Sequence, residues 1–249
     1  MKSINNIFKK VCILAIVTSM VGCDMLDTKP YDFVAPETFY KNETDCTMAL
    51  AGVYWTMAAE HVYGNRYSCM LSNIDDLSYY YRQNQTSAVV ANSHNTGNTD
   101  LWYTWESLYS GINNANVLLD NIDGASISDE KVRARIKGEA KFLRAYYHFL
   151  LVQGWYEVPI RKETVKDITV SSLEATPHAE ALDWIIQEME DCLDMVDDSN
   201  YDASPSHVKK TVVEGLRAYE FHNSYELLAW LIITSIDFLL WNKSSYLYL

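Results

Sequence analysis

Apolar residues recur at three- and four-residue steps along much of the chain, which is the pattern of helices with one buried face. The pattern predicts a helix over about residues 43–60, capped by Asn42, and a second over about residues 100–121. A third helix is predicted from a cap at Ser128 to Gly154. We find no strand run of useful length, so the pattern predicts a mainly α fold.

Turn-forming residues indicate where two more helices begin. Thr176 and Pro177 are predicted as the cap and the first position of a fourth helix, and the Ser-Pro-Ser sequence at 204–206 opens a fifth. Successive helix-turn-helix units with long insertions suggest a helical-repeat layer. The polar insertion between Ile74 and Trp105 is long, and loops of such length in compact domains are usually functional or disordered.

The first residues have the pattern of a signal peptide. Lysines at positions 2, 9 and 10 precede an apolar run, residues 11–21, that is too short to cross a bilayer as a helix. Residues 20–23 read Met-Val-Gly-Cys, similar to the lipobox of bacterial lipoproteins. We therefore expect cleavage before Cys23 and a lipid on Cys23 that anchors the chain to a membrane. The alternative is an ordinary secretory signal with a chance cysteine.

The net charge and the aromatic content limit the kinds of partner that the protein can bind. Removal of residues 1–22 takes away three lysines and moves the formal net charge from -13 to -16. A chain this acidic lacks a cationic surface for phosphates, which argues against nucleic acid as a partner. It also contains 18 Tyr and 7 Trp, more than a core of this size needs, so we expect some of these rings to face a ligand.

The cysteines and histidines give no sign of a metal or a cofactor. Once Cys23 is lipidated, Cys46, Cys69 and Cys192 remain, an odd number without a CxxC pair, which leaves room for one disulfide at most. Cys46 lies on the apolar stripe of its helix and is expected to be buried. The histidines lack metal-ligand spacing, and His148 is expected to have a structural role.

Three blocks of sequence resemble a known family. Residues 108–116 read Leu-Tyr-Ser-Gly-Ile-Asn-Asn-Ala-Asn, residues 139–147 read Glu-Ala-Lys-Phe-Leu-Arg-Ala-Tyr-Tyr, and residues 158–160 read Val-Pro-Ile. Together with the opening at 23–27 and Thr176-Pro177, they are similar in order and spacing to the SusD/RagB glycan-binding lipoproteins of Bacteroidetes. The resemblance covers about residues 20–215. It implies a tetratricopeptide-like helical-repeat scaffold with long irregular insertions.

The resemblance also implies binding rather than catalysis. Members are held by lipid on the outer face of the cell outer membrane, where they capture an oligosaccharide or another nutrient for a TonB-dependent, SusC-like transporter. The expected organisation is a signal peptide over 1–22, a lipidated tether over 23–40, a helical domain over 41–215 and a divergent apolar tail over 216–249. Two alternatives stay open for the function: a surface interaction module built from helical repeats, or a truncated remnant that binds no ligand.

A sugar site needs exposed aromatic rings beside polar groups, because sugars present apolar C–H faces and a rim of hydroxyls. The insertion and the helix after it offer both. The candidate ligand-binding residues are Tyr79, Tyr80, Tyr81, Arg82, Asn98 and Trp102. Trp105 lies on an apolar stripe and is expected in the core. A hydrolase using Asp75 and Asp76 is the remaining alternative, but sequence neighbours rarely converge on one bond, so we predict no catalytic residue.

The end of the chain departs from the family. Family members are about twice as long, whereas the tail from Leu216 loses the family pattern and residues 227–241 are almost wholly apolar. The expected explanation is a truncated or frameshifted product whose scaffold is incomplete at the C-terminus. A buried terminal helix is the alternative.

Overall fold

A computed structural model of the chain describes residues 39–71, 89, 93–165, 172–199 and 207–221. The described residues between Tyr40 and Phe221 belong to one compact unit. Its helices in the described ranges are α1 Glu43–Ala58, α2 Arg66–Leu71, α3 Thr99–Asn121, α4 Glu130–Trp155, α5 His178–Cys192 and α6 Lys210–Phe221. Over these ranges β pairing is confined to two isolated bridges, Asn42 with Ser126 and Val158 with Thr176. The predicted mainly α class is confirmed.

Helix α1 begins and packs as its sequence pattern predicts. The Asn42 side-chain oxygen accepts a hydrogen bond from the Asp45 amide at 3.0 Å, which satisfies one free N–H of the first turn. Cys46, Leu50 and Val53 lie on one buried stripe. After Ala58 the chain leaves the α-helix and makes a single π-helical turn, Glu60–Gly64, before α2. The sequence pattern predicts neither this π turn nor α2.

Helix α4 is the centre of the fold, with long stretches buried on every side. Its cap is Asp129, whose carboxylate accepts a hydrogen bond from the Lys131 amide at 2.8 Å, so the prediction of Ser128 as the cap was wrong by one residue. The helix also runs through Gly154 and ends only at Trp155. The predicted stop at Gly154 was therefore early, because Tyr156, with φ of 67°, is the residue that turns the chain.

Helices α5 and α6 both begin later than their sequences predict. Pro177 is extended and occupies the cap position of α5, so the helix starts at His178 and Thr176 is left to pair with Val158. Helix α6 starts at Lys210 rather than near 204–206, which lie outside the described residues. The Asp198 carboxylate accepts hydrogen bonds from both the amide and the hydroxyl of Thr211 at 3.0 Å, and this caps α6.

The helices pack closely around α4, which contacts α1, α3 and α5. At the tightest point a Cβ on Gly111 of α3 would lie 2.6 Å from the Thr56 methyl group of α1 and 2.8 Å from the Tyr147 ring of α4. Tyr147 is fully buried, and its hydroxyl donates to the Val53 carbonyl at 2.7 Å. Glycine at position 111 therefore lets three helices meet at one place.

The described cysteines are buried free thiols. Cys46 and Cys192 are both fully buried in the apolar core, which confirms the expected role of Cys46. Burial raises the pKa of the Cys192 thiol to about 12, so this thiol is protonated and unreactive at neutral pH. The side chain of Cys69 lies outside the described residues.

Candidate functional site

The start of α3, where the polar insertion ends, brings two predicted ligand residues together. The Asn98 side-chain oxygen caps the helix by accepting from the Leu101 amide at 3.0 Å, and the Asn98 carbonyl accepts from the Trp102 amide at 3.1 Å. The Asn98 oxygen is therefore used by the helix. Among the described residues the Asn98 amide nitrogen makes no hydrogen bond, which leaves its two donors for a ligand.

Two adjacent aromatic rings are exposed one turn into α3. The side chain of Trp102 is 63% exposed and that of Tyr103 is 45% exposed. The Tyr103 ring stacks on the His61 imidazole with ring centroids 4.7 Å apart and an angle of 24° between the rings. His61 belongs to the π turn, so that turn supports one ring of the exposed pair.

The π turn is held against α3 by polar contacts. Thr104 is buried, and its hydroxyl lies 2.8 Å from the carbonyl oxygens of both His61 and Asp100. Arg66 lies 3.7 Å from the carboxylates of Glu60 and Asp100. Ion pairs this exposed contribute little to stability. We name the group of Asn98, Trp102, Tyr103 and His61 the α3 platform.

The remaining predicted site residues lie outside the described part of the chain. These are Cys23, Tyr79, Tyr80, Tyr81 and Arg82, together with the carboxylate pair Asp75 and Asp76. Of the predicted ligand residues the structure thus places Asn98 and Trp102 side by side and leaves the other four as predictions.

The sequence pattern does not predict two members of the α3 platform, Tyr103 and His61. Tyr103 directly follows Trp102, so the exposed face could have been predicted to include it once the helix phase was known. His61 carries no such signal, because its position depends on the π turn. Trp105, predicted as core, is half-buried, with its ring 4.8 Å from Tyr109 and 5.3 Å from Trp155.

A buried polar network lies between α3, α4 and α5, and it has the residue types of an active site. The Arg144 guanidinium pairs with the Glu188 carboxylate and donates to the Asn116 side-chain oxygen at 2.7 Å and to the Lys162 carbonyl at 2.8 Å. The Asn116 amide in turn donates to the carbonyls of Arg161 and Glu163. These hydrogen bonds hold residues 161–163, which follow α4, against the helices. The network is therefore structural.

His148 belongs to the same network and is confirmed as structural. Its Nε2 accepts a hydrogen bond from the Arg161 amide at 3.0 Å, so its Nδ1 carries the proton and donates to the Arg144 carbonyl at 2.9 Å. Complete burial lowers the pKa of His148 to about 3, and the nearby Arg144 and Lys162 charges also lower it. The imidazole is neutral with both nitrogens occupied, which leaves it no proton-transfer role at neutral pH.

A second buried network joins α1, α4 and the lead into α6. The Glu139 carboxylate accepts from the Tyr54 hydroxyl at 2.6 Å and lies 2.8 Å from His207 Nδ1. The Tyr54 hydroxyl oxygen also accepts from the Val208 amide at 2.8 Å. Glu139 is completely buried, so these contacts serve to hold the start of α6 in place.

The described residues contain neither a cluster of metal-ligand side chains nor a membrane-spanning helix. In that part of the chain, groups of three or more His, Cys, Asp or Glu side chains that could hold a metal ion do not occur. Each described helix is too short or too polar to cross a membrane.

Solved structures share this arrangement of helices. A SusD homolog from Bacteroides thetaiotaomicron matches with a TM-score of 0.65 and 21% identity, covering 75% of this chain and 37% of that one. A laminarin-binding SusD-like protein matches with a TM-score of 0.64 and 24% identity, covering 73% of this chain and 40% of that one. The fold is therefore the helical scaffold of SusD-like proteins.

Sequence comparison identifies the family. Residues 24–218 match a SusD-like family described as starch-binding and associating with the outer membrane. SusD-like proteins P25 and P2 of Formosa agariphila are 28% and 25% identical over 185 and 196 residues, which cover 70% and 77% of this chain. The chain belongs to the SusD-like family. It spans 35% and 39% of the length of these two relatives.

Proposed function

We propose that the chain is a cell-surface lipoprotein that binds an oligosaccharide or another nutrient, without chemical turnover, for uptake through a TonB-dependent, SusC-like transporter. The α3 platform is the observation that carries this proposal, because it places two exposed rings at the end of a long polar insertion, beside an amide group that makes no hydrogen bond to the described residues. The family match and the laminarin-binding structural neighbour support a glycan as the ligand.

The chemistry of the α3 platform suits a sugar. The face of Trp102 can pack on the C–H face of a sugar ring, while the Asn98 amide, Asp100 and Arg66 offer partners for hydroxyl groups. We propose that Tyr79, Tyr80, Tyr81 and Arg82 complete the site from the insertion. Because the buried carboxylates Glu139 and Glu188 are held in structural networks, binding is favoured over hydrolysis.

Calorimetric titration of the full chain with laminarin and with soluble starch tests the binding site. Trp102→Ala is expected to weaken the affinity by about tenfold, since loss of one stacked ring costs on the order of 1 kcal/mol or more. Tyr80→Ala should also weaken it. Trp55→Ala is the matched control, because Trp55 is 71% exposed but lies on α1. Equal affinity of the Trp102 and Trp55 variants would contradict the proposed site.

The proposed absence of turnover has its own test. The purified chain is incubated with each glycan that it binds, and the reducing ends are measured over time. We expect no increase above the protein-free control. An increase that Asp75→Asn or Asp76→Asn abolishes would instead support the hydrolase alternative.

A surface interaction module is the second candidate function, and the outer face of α1 favours it. Met48, Ala51, Gly52, Trp55 and Ala58 lie on this face at helical spacing and are exposed. An exposed apolar stripe of this kind is typical of a protein contact. In cells that carry the transporter, Trp55→Glu should lower co-purification of the transporter while leaving glycan affinity unchanged. Unchanged co-purification would count against this role.

A further inference from the structure

Helix α4 ends in a strained turn at Tyr156. The backbone of Tyr156 has φ of 67° and ψ of -66°, and the Glu157 amide donates to the Trp155 carbonyl at 2.8 Å. This is a γ-turn with positive φ at its central residue, a rare and strained conformation for a residue with a side chain. Glycine would make the same turn without strain, yet the chain carries tyrosine there.

The turn displays the Tyr156 ring at the surface. The side chain is 64% exposed, and one face of the ring stacks on the His178 imidazole, with centroids 4.2 Å apart and an angle of 8° between the rings. The His178 Nδ1 donates to the Tyr156 carbonyl at 3.0 Å, which fixes the imidazole under the ring. Because His178 covers one face, the exposed area belongs to the opposite face and the edges.

Tyr156 and the α3 platform lie at the same end of the helix pair. The Trp105 ring of α3 lies 5.3 Å from the Trp155 ring of α4, so α3 begins beside the point where α4 ends. Trp102 is one helical turn before Trp105, and Tyr156 directly follows Trp155. Both exposed rings therefore lie at the end of the pair where α3 begins and α4 ends, which is where one extended ligand would contact the two.

We infer that Tyr156, supported by His178, is a second sugar-stacking position for the oligosaccharide that the α3 platform binds. This inference rests on the proposed function. A flat ring with one free face suits the C–H face of a sugar, and the exposed polar side chains of Gln153 and Glu157 flank it as partners for hydroxyl groups. The strain at Tyr156 is then the cost of holding that ring in place.

Tyr156→Gly is the variant that tests the inference, because it removes the ring and relaxes the γ-turn. Affinities are measured for maltoheptaose and laminarihexaose and for their short counterparts, maltose and laminaribiose. The variant should bind the long glycans about three- to tenfold more weakly and the short ones as wild type does. Tyr156→Trp should keep wild-type affinity, and Trp102→Ala should weaken binding of both lengths.

The other outcomes separate the two proposals. If Tyr156→Gly binds the long glycans as wild type does while Trp102→Ala does not, the inference is wrong and the proposed function stands. If wild type binds none of the four glycans, both fail. Unchanged glycan affinity with loss of transporter co-purification would make Tyr156 a protein contact instead. Far-UV circular dichroism checks the fold, and Tyr156→Asn is a second variant without a ring that tolerates positive φ.

Discussion

At the residue scale, the buried polar side chains of this protein serve the fold, and the exposed aromatic rings are the ones available to a ligand. The sequence predicts that His148 has structural partners. It could not predict which partners, because Arg144 meets Glu188 only through the approach of α4 to α5. Burial distinguishes the polar side chains with a structural role from the side chains that a ligand can reach. Burial depends on how the helices pack.

Replacement of Arg144 tests the importance of its network. Arg144→Met should lower the free energy of unfolding by about 3–5 kcal/mol, because it leaves the Glu188 carboxylate and the Asn116 oxygen buried without their partner. Urea denaturation measures the change. The double variant Arg144→Met/Glu188→Met should recover part of the loss, since it removes the unpaired charge. A loss below about 1 kcal/mol in the single variant would contradict a stabilising role for the network.

His148 gives a pH dependence with a defined sign. In the unfolded chain its pKa is near the ordinary 6.5, and burial lowers it to about 3 in the fold, so the unfolded state binds the extra proton between these values. The contribution of His148 to stability is complete above pH 6.5 and falls as the pH is lowered, by about 2 kcal/mol between pH 7 and pH 5. His148→Gln should lack this part of the pH dependence in urea denaturation, whereas His94→Gln, at an exposed position, should keep it.

At the element scale, hydrophobic periodicity predicted α1, α3, α4 and α5 within a few residues, because each has a long apolar stripe. The ends were less predictable, because a helix boundary can shift by one residue without changing its apolar stripe. Asp129 and Pro177 occupy the cap positions where Ser128 and Thr176 were expected. The π turn and α2 were missed because they are too short to show a period. The α3 platform was therefore half predicted: Asn98 and Trp102 follow from the start of α3, whereas His61 depends on the π turn.

Two glycines give a matched test of helix packing. Gly111→Ala should destabilise the protein by about 1–3 kcal/mol, because its Cβ would meet Thr56 of α1 and Tyr147 of α4 below 3.0 Å. Gly52→Ala in α1 gains the same helix propensity, but its Cβ meets nothing within 4 Å, so it should stabilise by about 0.5–1 kcal/mol. Thermal unfolding of both variants measures the difference, and a stabilising Gly111→Ala would contradict the close contact.

At the scale of the whole molecule, the ordered sequence blocks predicted the family, which the match over residues 24–218 confirms. They did so because each block encodes a contact of the scaffold: the Arg144 guanidinium donates to Asn116, and the Tyr109 hydroxyl donates to the Pro159 carbonyl of the Val-Pro-Ile block. The identity of the proposed glycan ligand does not follow from these blocks, since they lie inside the scaffold and the exposed rings lie outside them. The divergent tail from Leu216 stays a prediction, although Leu216 itself is buried and α6 continues to Phe221.

The lipid anchor at Cys23 is a prediction about the whole molecule, and cell fractionation tests it. With residues 1–22 removed the chain has a formal charge of -16, so it should not adhere to an anionic membrane without its lipid. Cys23→Ala should therefore move the protein from the membrane to the soluble fraction, whereas Cys12→Ala, in the apolar run of the signal peptide, should leave it in the membrane. Membrane retention of the Cys23 variant would contradict the anchor. Protease added to intact cells then shows on which face of the membrane the chain lies, because a surface-exposed chain is cut and a periplasmic one is protected.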